Sequence, residues 1–266
     1  MKKFLKITFS IIVGLYILVC ISLYFYQEKI IFIPEKQPKN FSYNFPEKFE
    51  EMNIKMKDGK LLNGVLFKAE KPRGFIFYIH GNGGSVNSWA HISHVYTDLG
   101  YDMFLLDFRG YGKSEGEIES EEQLYQDNQT VYDLFKKKYS EKNIVVLGYS
   151  IGTGMAAKLA SDNAPKLLIL QAPYYNLTEM MQQNFSLIPG FILKYKFTTN
   201  EYLKKCKMPV VLFHGTADEI IPFENSLKLK KEFKKGDTLI PLEGETHNLI
   251  TDNLEYQAAL KKILNR

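Results

Sequence analysis

The sequence contains little cysteine, which excludes a domain built on disulfides. Its 266 residues include two cysteines, Cys20 and Cys206. Cys20 lies inside an apolar N-terminal stretch, so we expect no bridge between the two. A domain without a disulfide framework must be stabilised by packing alone.

Strong charge of one sign is also lacking. Lys and Arg total 34 against 30 Asp and Glu, and the basic residues form no dense stripe, which predicts no nucleic-acid partner. Neither G-x-x-x-x-G-K-[ST] nor G-x-G-x-x-G occurs, so the sequence predicts no phosphate-binding loop of those kinds. Hydrophobic residues make up 45% and charged residues 24%, as expected for a globular domain with a core.

One long uncharged run stands at the N-terminus. Residues 7–26 (ITFSIIVGLYILVCISLYFY) carry no charge, and about 20 residues suffice to cross a bilayer. Three lysines at positions 2, 3 and 6 precede the run, and aromatic residues 24–26 close it, as at a membrane interface. We therefore predict a signal anchor over residues 1–27, with a cytoplasmic N-terminus and the domain that follows the anchor outside.

Other interpretations of this run are less consistent with its residues. A cleaved signal peptide has a shorter apolar core and small residues at its cleavage site, where Tyr and Phe stand here. A lipoprotein would need a small residue before Cys20, and Val19 occupies that place. A buried core helix would be shorter and would not be apolar on all sides. Lysines 29, 36 and 39 follow the run and weaken the charge bias that sets the orientation.

A predicted linker, residues 28–50, leads into a predicted globular domain, residues 51–266. The dipeptide Asp58-Gly59 lies between two strand patterns and is typical of a hairpin turn. Continuous apolar runs follow, and strands that are apolar on both faces belong in a buried parallel sheet. These runs occupy residues 75–80, 101–107, 143–149, 166–171 and 209–215, with a last strand at about 237–243.

Helical patterns separate these strands, so the domain is predicted to be a doubly wound α/β domain with a mostly parallel sheet of about eight strands flanked by helices. The helical patterns cover residues 86–99, 121–139, 152–161, 223–233 and 254–264.

The segment 174–207 interrupts the alternation of strand and helix and is long for a plain connection. It is either an ordinary helix with a long loop or a small cap over the active site. In a cap, its apolar residues would face an acyl pocket. These residues are Met180, Met181, Phe185, Leu187, Ile188, Phe191, Ile192 and Leu193.

The motif G-x-S-x-G occurs as Gly148-Tyr149-Ser150-Ile151-Gly152, directly after an apolar strand and before a helix of small residues. A sharp strand-to-helix turn holds the serine in a strained conformation and leaves no room for side chains at the glycine positions. The turn raises the Ser150 hydroxyl at the carboxyl edge of the sheet. A structural Gly-Ser turn would match the motif alone, but this context predicts a nucleophile.

Asp218 and His247 follow Ser150 in the chain order of the α/β-hydrolase triad, Ser, then Asp, then His. Each lies just past the carboxyl end of a predicted strand, where open α/β sheets place their sites. Singly, Asp218 could be a turn or cap residue and His247 a solvated loop residue. Together with Ser150 they predict a catalytic triad, so residues 51–266 are predicted to be the catalytic domain.

Other titratable residues are weaker candidates. His80 and His214 end buried strands and are interpreted as structural. His91 and His94 lie one helical turn apart, but without a further ligand we expect packing or surface roles and no metal site. Asp107 also ends a strand and ranks below Asp218 as the acid of the triad.

Two backbone N–H groups are predicted to form an oxyanion hole. One belongs to Ile151, the residue after the nucleophile, and the other comes from the loop after strand 75–80. That loop reads His80-Gly81-Asn82-Gly83-Gly84, and its glycines allow close approach of backbone to a ligand. We assign the second donor to Asn82.

The motifs HGNGGS (80–85), DFRGYGKSEG (107–116), GYSIG (148–152), HGTADEIIP (214–222) and GETHN (244–248) together resemble one branch of the α/β-hydrolases. It is the membrane-associated branch with the animal protein depalmitoylases and bacterial serine-aminopeptidase-like hydrolases. The resemblance extends to the span followed by YQEKIIFIP and implies a single-span anchor, the triad above and no cofactor. Asp107, Arg109 and Gly110 would then shape the loop beside the oxyanion site.

Three functions remain open from the sequence. The first is a membrane-anchored serine esterase or thioesterase with a lipid-like or acylated substrate. The second is an aminopeptidase-like serine peptidase for small peptides, although no large cap bearing carboxylates is evident to hold a substrate amine. The third is a non-enzymatic binding protein on a hydrolase scaffold, against which the complete triad argues.

Overall fold

An eight-stranded sheet lies at the centre of the computed structural model, which describes residues 1–265. The strands, in chain order, are β1 (Ile33–Pro34), β2 (Phe49–Lys55), β3 (Leu61–Phe67), β4 (Gly74–Ile79), β5 (Gly83–Gly84), β6 (Tyr101–Leu106), β7 (Ile144–Tyr149), β8 (Leu167–Gln171), β9 (Val210–Gly215) and β10 (Thr238–Leu242). The order across the sheet is β10-β9-β8-β7-β4-β6-β3-β2, and β1 pairs with β5 outside it.

Only β3 runs against its neighbours in this sheet, so the predicted mostly parallel α/β-hydrolase sheet is confirmed. The turn at Asp58-Gly59 joins β2 and β3 into the predicted antiparallel hairpin. The apolar runs from residue 75 onward form strands that agree with the prediction to within one residue at either end. Apolar length and flanking turn residues are therefore sufficient to locate the parallel strands.

Helices cover both faces of the sheet, apart from α1, which contacts the 3-10 turn at Gly190–Ile192. They are α1 (Lys2–Ile31), α2 (Val86–Trp89), α3 (Ser93–Thr97), α4 (Glu121–Lys136), α5 (Gly152–Asp162), α6 (Leu177–Asn184), α7 (Thr199–Leu203), α8 (Glu224–Leu229) and α9 (Leu254–Leu264). The single helix predicted over 86–99 is wrong in detail, because a tighter 3-10 turn at Ala90–Ile92 separates α2 from α3. The helix predicted over 223–233 likewise ends in a 3-10 turn.

Side chains alternate between two apolar cores along β4. Phe75, Phe77 and Ile79 face the core that contains α4, α5 and α8, whereas Ile76 and Tyr78 face the core that contains α3 and α9. This alternation follows the twofold period of a strand. The central strands are buried on both faces, which holds their carboxyl ends rigidly at the edge where the candidate site lies.

Helix α1 is the one helix within residues 1–265 that is long and apolar enough to cross a membrane, with a mean hydropathy of 2.4 over its most apolar stretch. It continues past the predicted end of the anchor at residue 27 to Ile31, where the chain becomes extended and Phe32 is buried. The predicted linker then attaches to the domain through β1 and a bridge from Lys36 to Gly112. The division into anchor, linker and catalytic domain stays a prediction.

Candidate active site

Ser150 lies in the sharp turn between β7 and α5 and has a left-handed backbone conformation, with φ of 52°. Such a conformation costs a residue with a side chain about 1–3 kcal/mol. The flanking glycines are required by close packing, since a Cβ at Gly148 would lie 2.6 Å from Ala156 and one at Gly152 would lie 2.3 Å from the carbonyl oxygen of Ile79. The turn therefore fits the strained strand-to-helix geometry that the motif predicts.

The structure brings Ser150, His247 and Asp218 together in one chain of hydrogen bonds. His247 Nε2 is 3.0 Å from Ser150 Oγ, and His247 Nδ1 is 2.8 Å from Asp218 Oδ2. All three residues are buried to the same extent as core side chains. A hydroxyl, an imidazole and a carboxylate in this order can transfer the hydroxyl proton to the imidazole during nucleophilic attack.

Asp218 is held by several donors. Its Oδ1 accepts hydrogen bonds from the backbone N–H groups of Ile220 (2.9 Å) and Ile221 (2.8 Å), and His214 Nε2 lies 3.2 Å from Oδ2. Burial alone would raise the pKa of Asp218, but the hydrogen bonds from His214 and His247 outweigh it and lower the pKa below its ordinary value. Asp218 is therefore a carboxylate throughout the neutral range.

Tyr149 fixes the loop that carries His247. The Tyr149 hydroxyl donates a hydrogen bond to the carbonyl oxygen of His247, and the two rings meet edge to face with centroids 5.7 Å apart. The loop is also joined to the loop after β9, because the N–H of Ala217 donates to the carbonyl oxygen of Glu245 at 3.0 Å. These contacts set the position of the imidazole relative to Ser150.

Asn82 and Ile151 lie at the same cavity as Ser150 and His247. Within residues 1–265, neither of their backbone N–H groups donates to a protein acceptor. The Asn82 side chain is occupied elsewhere, since its Oδ1 lies 3.2 Å from both the Ile33 nitrogen and the Tyr111 hydroxyl. Both N–H groups are therefore able to donate to a ligand oxygen.

The cavity at Ser150 has a volume of about 640 Å³ and is predominantly apolar. In the described part of the chain, its lining includes no Asp, Glu, Lys or Arg side chain. Such a cavity is of the size and character that proteins use for small ligands with a mainly apolar surface. The side chains of Ser150 and His247 are among its few polar groups.

Segment 174–207 lies over this cavity and contains α6, a 3-10 turn at Gly190–Ile192 and α7. It is therefore a small cap, one of the two predicted alternatives. Six of its eight predicted pocket residues line the cavity, but the prediction was wrong for Leu187 and Phe191, which are 83% and 84% exposed. Phe191 lies in the 3-10 turn that follows Pro189, and Leu187 lies just before that proline.

Helix α1 also contributes to the cavity, which the sequence analysis did not predict. Leu23, Gln27, Ile30 and Ile31 line it, together with Ile33 beyond the end of the helix. Their spacing of three and four residues was a usable signal, because residues at that spacing share one face of a helix. The uniform apolarity of a membrane span hides such a face.

Within residues 1–265, no hydrogen bond joins the remaining histidines to Ser150 or His247. His80 packs against Phe108, with ring centroids 4.2 Å apart, and burial lowers its pKa to about 4, so it is neutral. His214 contacts Asp218, as described above, and thereby supports the site from a buried position. His91 and His94 each bond a backbone carbonyl three residues earlier, and no group of metal ligands is found among the described residues.

Asp107 and Arg109 support the loops beside the site. Asp107 Oδ1 accepts a hydrogen bond of 2.7 Å from the N–H of Val86, just after the glycine-rich loop. Arg109 forms two hydrogen bonds with Asp127, of 2.6 and 2.8 Å, and a third of 2.5 Å with Asp58. Asp107 makes no hydrogen bond to His247, so it is not placed to act as the acid of the predicted triad.

Comparison with known proteins agrees with this architecture. The family model for serine aminopeptidase, S33, matches residues 70–200. An esterase from Pyrococcus furiosus has the same fold, with a TM-score of 0.70 and 18% identity, and the match covers 88% of this chain and 98% of the esterase.

Two curated relatives extend the comparison. The protein bem46 of Schizosaccharomyces pombe is 30% identical over 75% of this chain and 72% of its own length. Lysophosphatidylserine lipase ABHD12 of Danio rerio is 29% identical over 61% of this chain, but the match covers only 47% of that lipase. The identity with bem46 over more than two thirds of both proteins shows that this chain belongs to the same family of α/β-hydrolases.

Proposed function

We propose that the protein is a membrane-anchored serine hydrolase that cleaves ester or thioester bonds. The observation that carries this proposal is the unbroken chain of hydrogen bonds from Ser150 through His247 to Asp218 at the wall of an apolar cavity. Membership of a hydrolase family with lipase and esterase relatives supports the reaction class. The long apolar helix α1 supports the anchor.

In the proposed reaction, Ser150 Oγ attacks the acyl carbonyl while His247 Nε2 takes its proton. Asp218, kept ionised by its donors, fixes the imidazole tautomer and stabilises the imidazolium. The proton then passes from His247 to the departing alcohol or thiol, which leaves an acyl group on Ser150. Water attacks this acyl-enzyme with His247 again as base, and the acid is released.

The backbone N–H groups of Asn82 and Ile151 would stabilise the negative charge that develops on the carbonyl oxygen. Each such donor contributes about 3 kcal/mol to lowering the barrier. The α5 helix begins directly after Ile151, so its N-terminal dipole also favours negative charge at this position.

An aminopeptidase is less consistent with this cavity. A peptide with a free amino terminus brings an ammonium group, which requires a carboxylate or several acceptors once it leaves water. Among the described residues, the cavity presents no Asp or Glu side chain to such a group. We therefore expect the protein to hydrolyse p-nitrophenyl esters but not amino-acid p-nitroanilides.

The test compares hydrolysis of p-nitrophenyl esters by the wild type and Ser150→Ala. Ser93→Ala serves as the matched control, because Ser93 is also buried and its hydroxyl has no hydrogen-bond partner within residues 1–265. We expect Ser150→Ala to lose at least about a thousandfold in kcat, and Ser93→Ala to retain wild-type activity. Equal activity of the two variants would contradict the assignment of Ser150.

A further inference from the structure

Two side chains of α1 make hydrogen bonds to the backbone of the cap. The Gln27 side chain donates to the carbonyl oxygen of Ile192 at 3.1 Å and accepts from the N–H of Lys194 at 2.7 Å. The Tyr16 hydroxyl donates to the carbonyl oxygen of Leu187 at 2.8 Å. Irregular backbone at membrane depth requires partners of this kind, because no water is present to satisfy it.

The contact between Tyr16 and Leu187 locates this part of the cap along the helix. Tyr16 lies ten residues before Tyr26, which corresponds to about 15 Å along the helix axis. Leu187 therefore lies beside the apolar part of α1 and not beyond its end. We call residues 180–193 the tip of the cap.

The tip has the composition of a surface in contact with lipid. Residues 180–193 include no charged residue, and Phe185, Leu187 and Phe191 are exposed. A soluble domain rarely holds several large apolar side chains in water on one short segment. Their position beside α1 places them against the bilayer that this helix would cross.

The first charged residue after the tip lies beside the aromatic residues at the end of the apolar part of α1. Lys194, the first residue after the tip, pairs with Glu28 at 3.0 Å, and its ammonium group lies 4.8 Å from the centre of the Tyr24 ring. Tyrosines together with charged groups are typical of the membrane–water interface. The interface therefore lies at the level of residues 24–28, with the tip on the membrane side of it.

The cavity is formed between these two membrane-facing elements. Leu23 of α1, on the membrane side of the interface, lines it together with Met181 and Ile188 of the tip, whereas Gln27 and Ile30 line it at and beyond the interface. Ser150 and His247 line the same cavity, so the triad is connected to the space between α1 and the tip. A substrate chain that lies between α1 and the tip would therefore reach the Ser150 hydroxyl without crossing water.

We propose that this cavity is an acyl-chain site that opens into the bilayer, and that its substrate is a lipid ester of the leaflet in which the tip is inserted. The proposal rests on the proposed function and on its membrane anchor. A lipid is favoured over an acylated protein because the cavity is bordered by the tip and by Leu23, which lie on the membrane side of the interface, where lipid chains reside. Helix α1 is then a wall of the substrate site as well as a tether.

The experiment blocks the cavity from the α1 side in the full-length protein reconstituted in nanodiscs. Leu23→Trp adds bulk to a cavity-lining position, and Ile21→Trp is the matched control, because two residues along a helix correspond to about 200° of rotation. Activity is measured on p-nitrophenyl butyrate and on a membrane-embedded palmitoyl glycerol ester. Labelling of Ser150 by a fluorophosphonate reports whether the site remains intact.

We expect Leu23→Trp to lower kcat/KM for the palmitoyl lipid at least about tenfold more than it lowers kcat/KM for p-nitrophenyl butyrate, with Ser150 still labelled. Ile21→Trp should behave as wild type on both substrates. Equal profiles of the two variants, with an active wild type, would overturn this inference and leave the proposed function intact. A wild type that hydrolyses no ester would instead overturn the proposed function.

A second measurement does not depend on turnover. Phe191→Trp places a fluorophore on the tip, and Leu254→Trp places one on an equally exposed apolar position of α9. In nanodiscs with brominated acyl chains, we expect the tryptophan fluorescence of Phe191→Trp to be quenched more than that of the wild type, whose single tryptophan is Trp89. We expect no such additional quenching for Leu254→Trp. Equal quenching of the two variants would show that the tip is not in the bilayer.

Cleavage of an S-palmitoylated peptide but not of the palmitoyl lipid would overturn the substrate class.

Discussion

Asp107 provides a test of how the fold holds a buried carboxyl group beside the active-site loops. Its side chain is completely buried at the end of β6, and its Oδ1 accepts a hydrogen bond from Val86. Within residues 1–265, its Oδ2 has no hydrogen-bond partner. Burial therefore raises the pKa of Asp107 to about 7, even though the hydrogen bond from Val86 acts in the opposite direction.

The raised pKa determines the sign of the effect on stability. In the unfolded chain the carboxyl group releases its proton near pH 3.8, whereas the folded protein retains it up to about pH 7. The contribution of this group to stability is therefore complete below about pH 4, decreases as the pH rises to about 7 and is constant above that. The shift corresponds to roughly 4 kcal/mol, of which about 3 kcal/mol is lost between about pH 4.5 and pH 8.

The variant Asp107→Asn keeps a side-chain oxygen that can accept the hydrogen bond from the Val86 N–H, but it has no carboxyl group that titrates. The buried amide has a cost of its own, but that cost is the same at every pH and cancels when two pH values are compared. We expect the Tm of the variant relative to the wild type to rise by about 6–12 °C from pH 4.5 to pH 8, measured by scanning fluorimetry in mild detergent. A Tm difference that does not change with pH would refute the reasoning.

Three further substitutions test the site and its supports. Asp218→Asn removes the carboxylate that orients the imidazole, and we expect kcat for p-nitrophenyl esters to fall by about ten-thousandfold. Gly152→Ala would place a methyl group 2.3 Å from the carbonyl oxygen of Ile79, so we expect loss of ester hydrolysis together with a Tm lower by several degrees. Arg109→Met leaves Asp127 buried without its partner, and we expect the free energy of unfolding, measured by urea titration, to fall by about 3 kcal/mol. We expect it to recover in the double variant that also carries Asp127→Leu.

The parallel strands and the turn at Ser150 were predictable because local sequence determines them. Strands that are apolar on both faces have few other environments in which they can be buried, and their lengths are limited by turn residues at each end. The G-x-S-x-G motif needs both glycines for steric reasons, as the contacts at Gly148 and Gly152 show. Asp218 and His247 were found from chain order, because each follows a strand whose end lies at the same edge of the sheet.

Features that depend on contacts between distant segments were not predictable. The cavity wall formed by α1 arises from contacts between residues more than 160 positions apart, such as Gln27 with Lys194. Leu187 and Phe191 are exposed whereas their apolar neighbours line the cavity, and hydrophobicity alone does not distinguish the two groups. The support that His214 gives to Asp218 was missed although the two residues are only four positions apart, because a strand pattern does not report how the turn after β9 orients their side chains.

The central claim is that Ser150 is the nucleophile, and it is tested most directly by locating a covalent adduct. The full-length protein is inhibited with a fluorophosphonate, digested and analysed by mass spectrometry. We predict that the phosphonyl group is found on the peptide that contains Ser150, on that residue, and that His247→Ala strongly reduces the yield. An adduct on another serine, or continued ester hydrolysis by a protein that carries no adduct, would contradict the account.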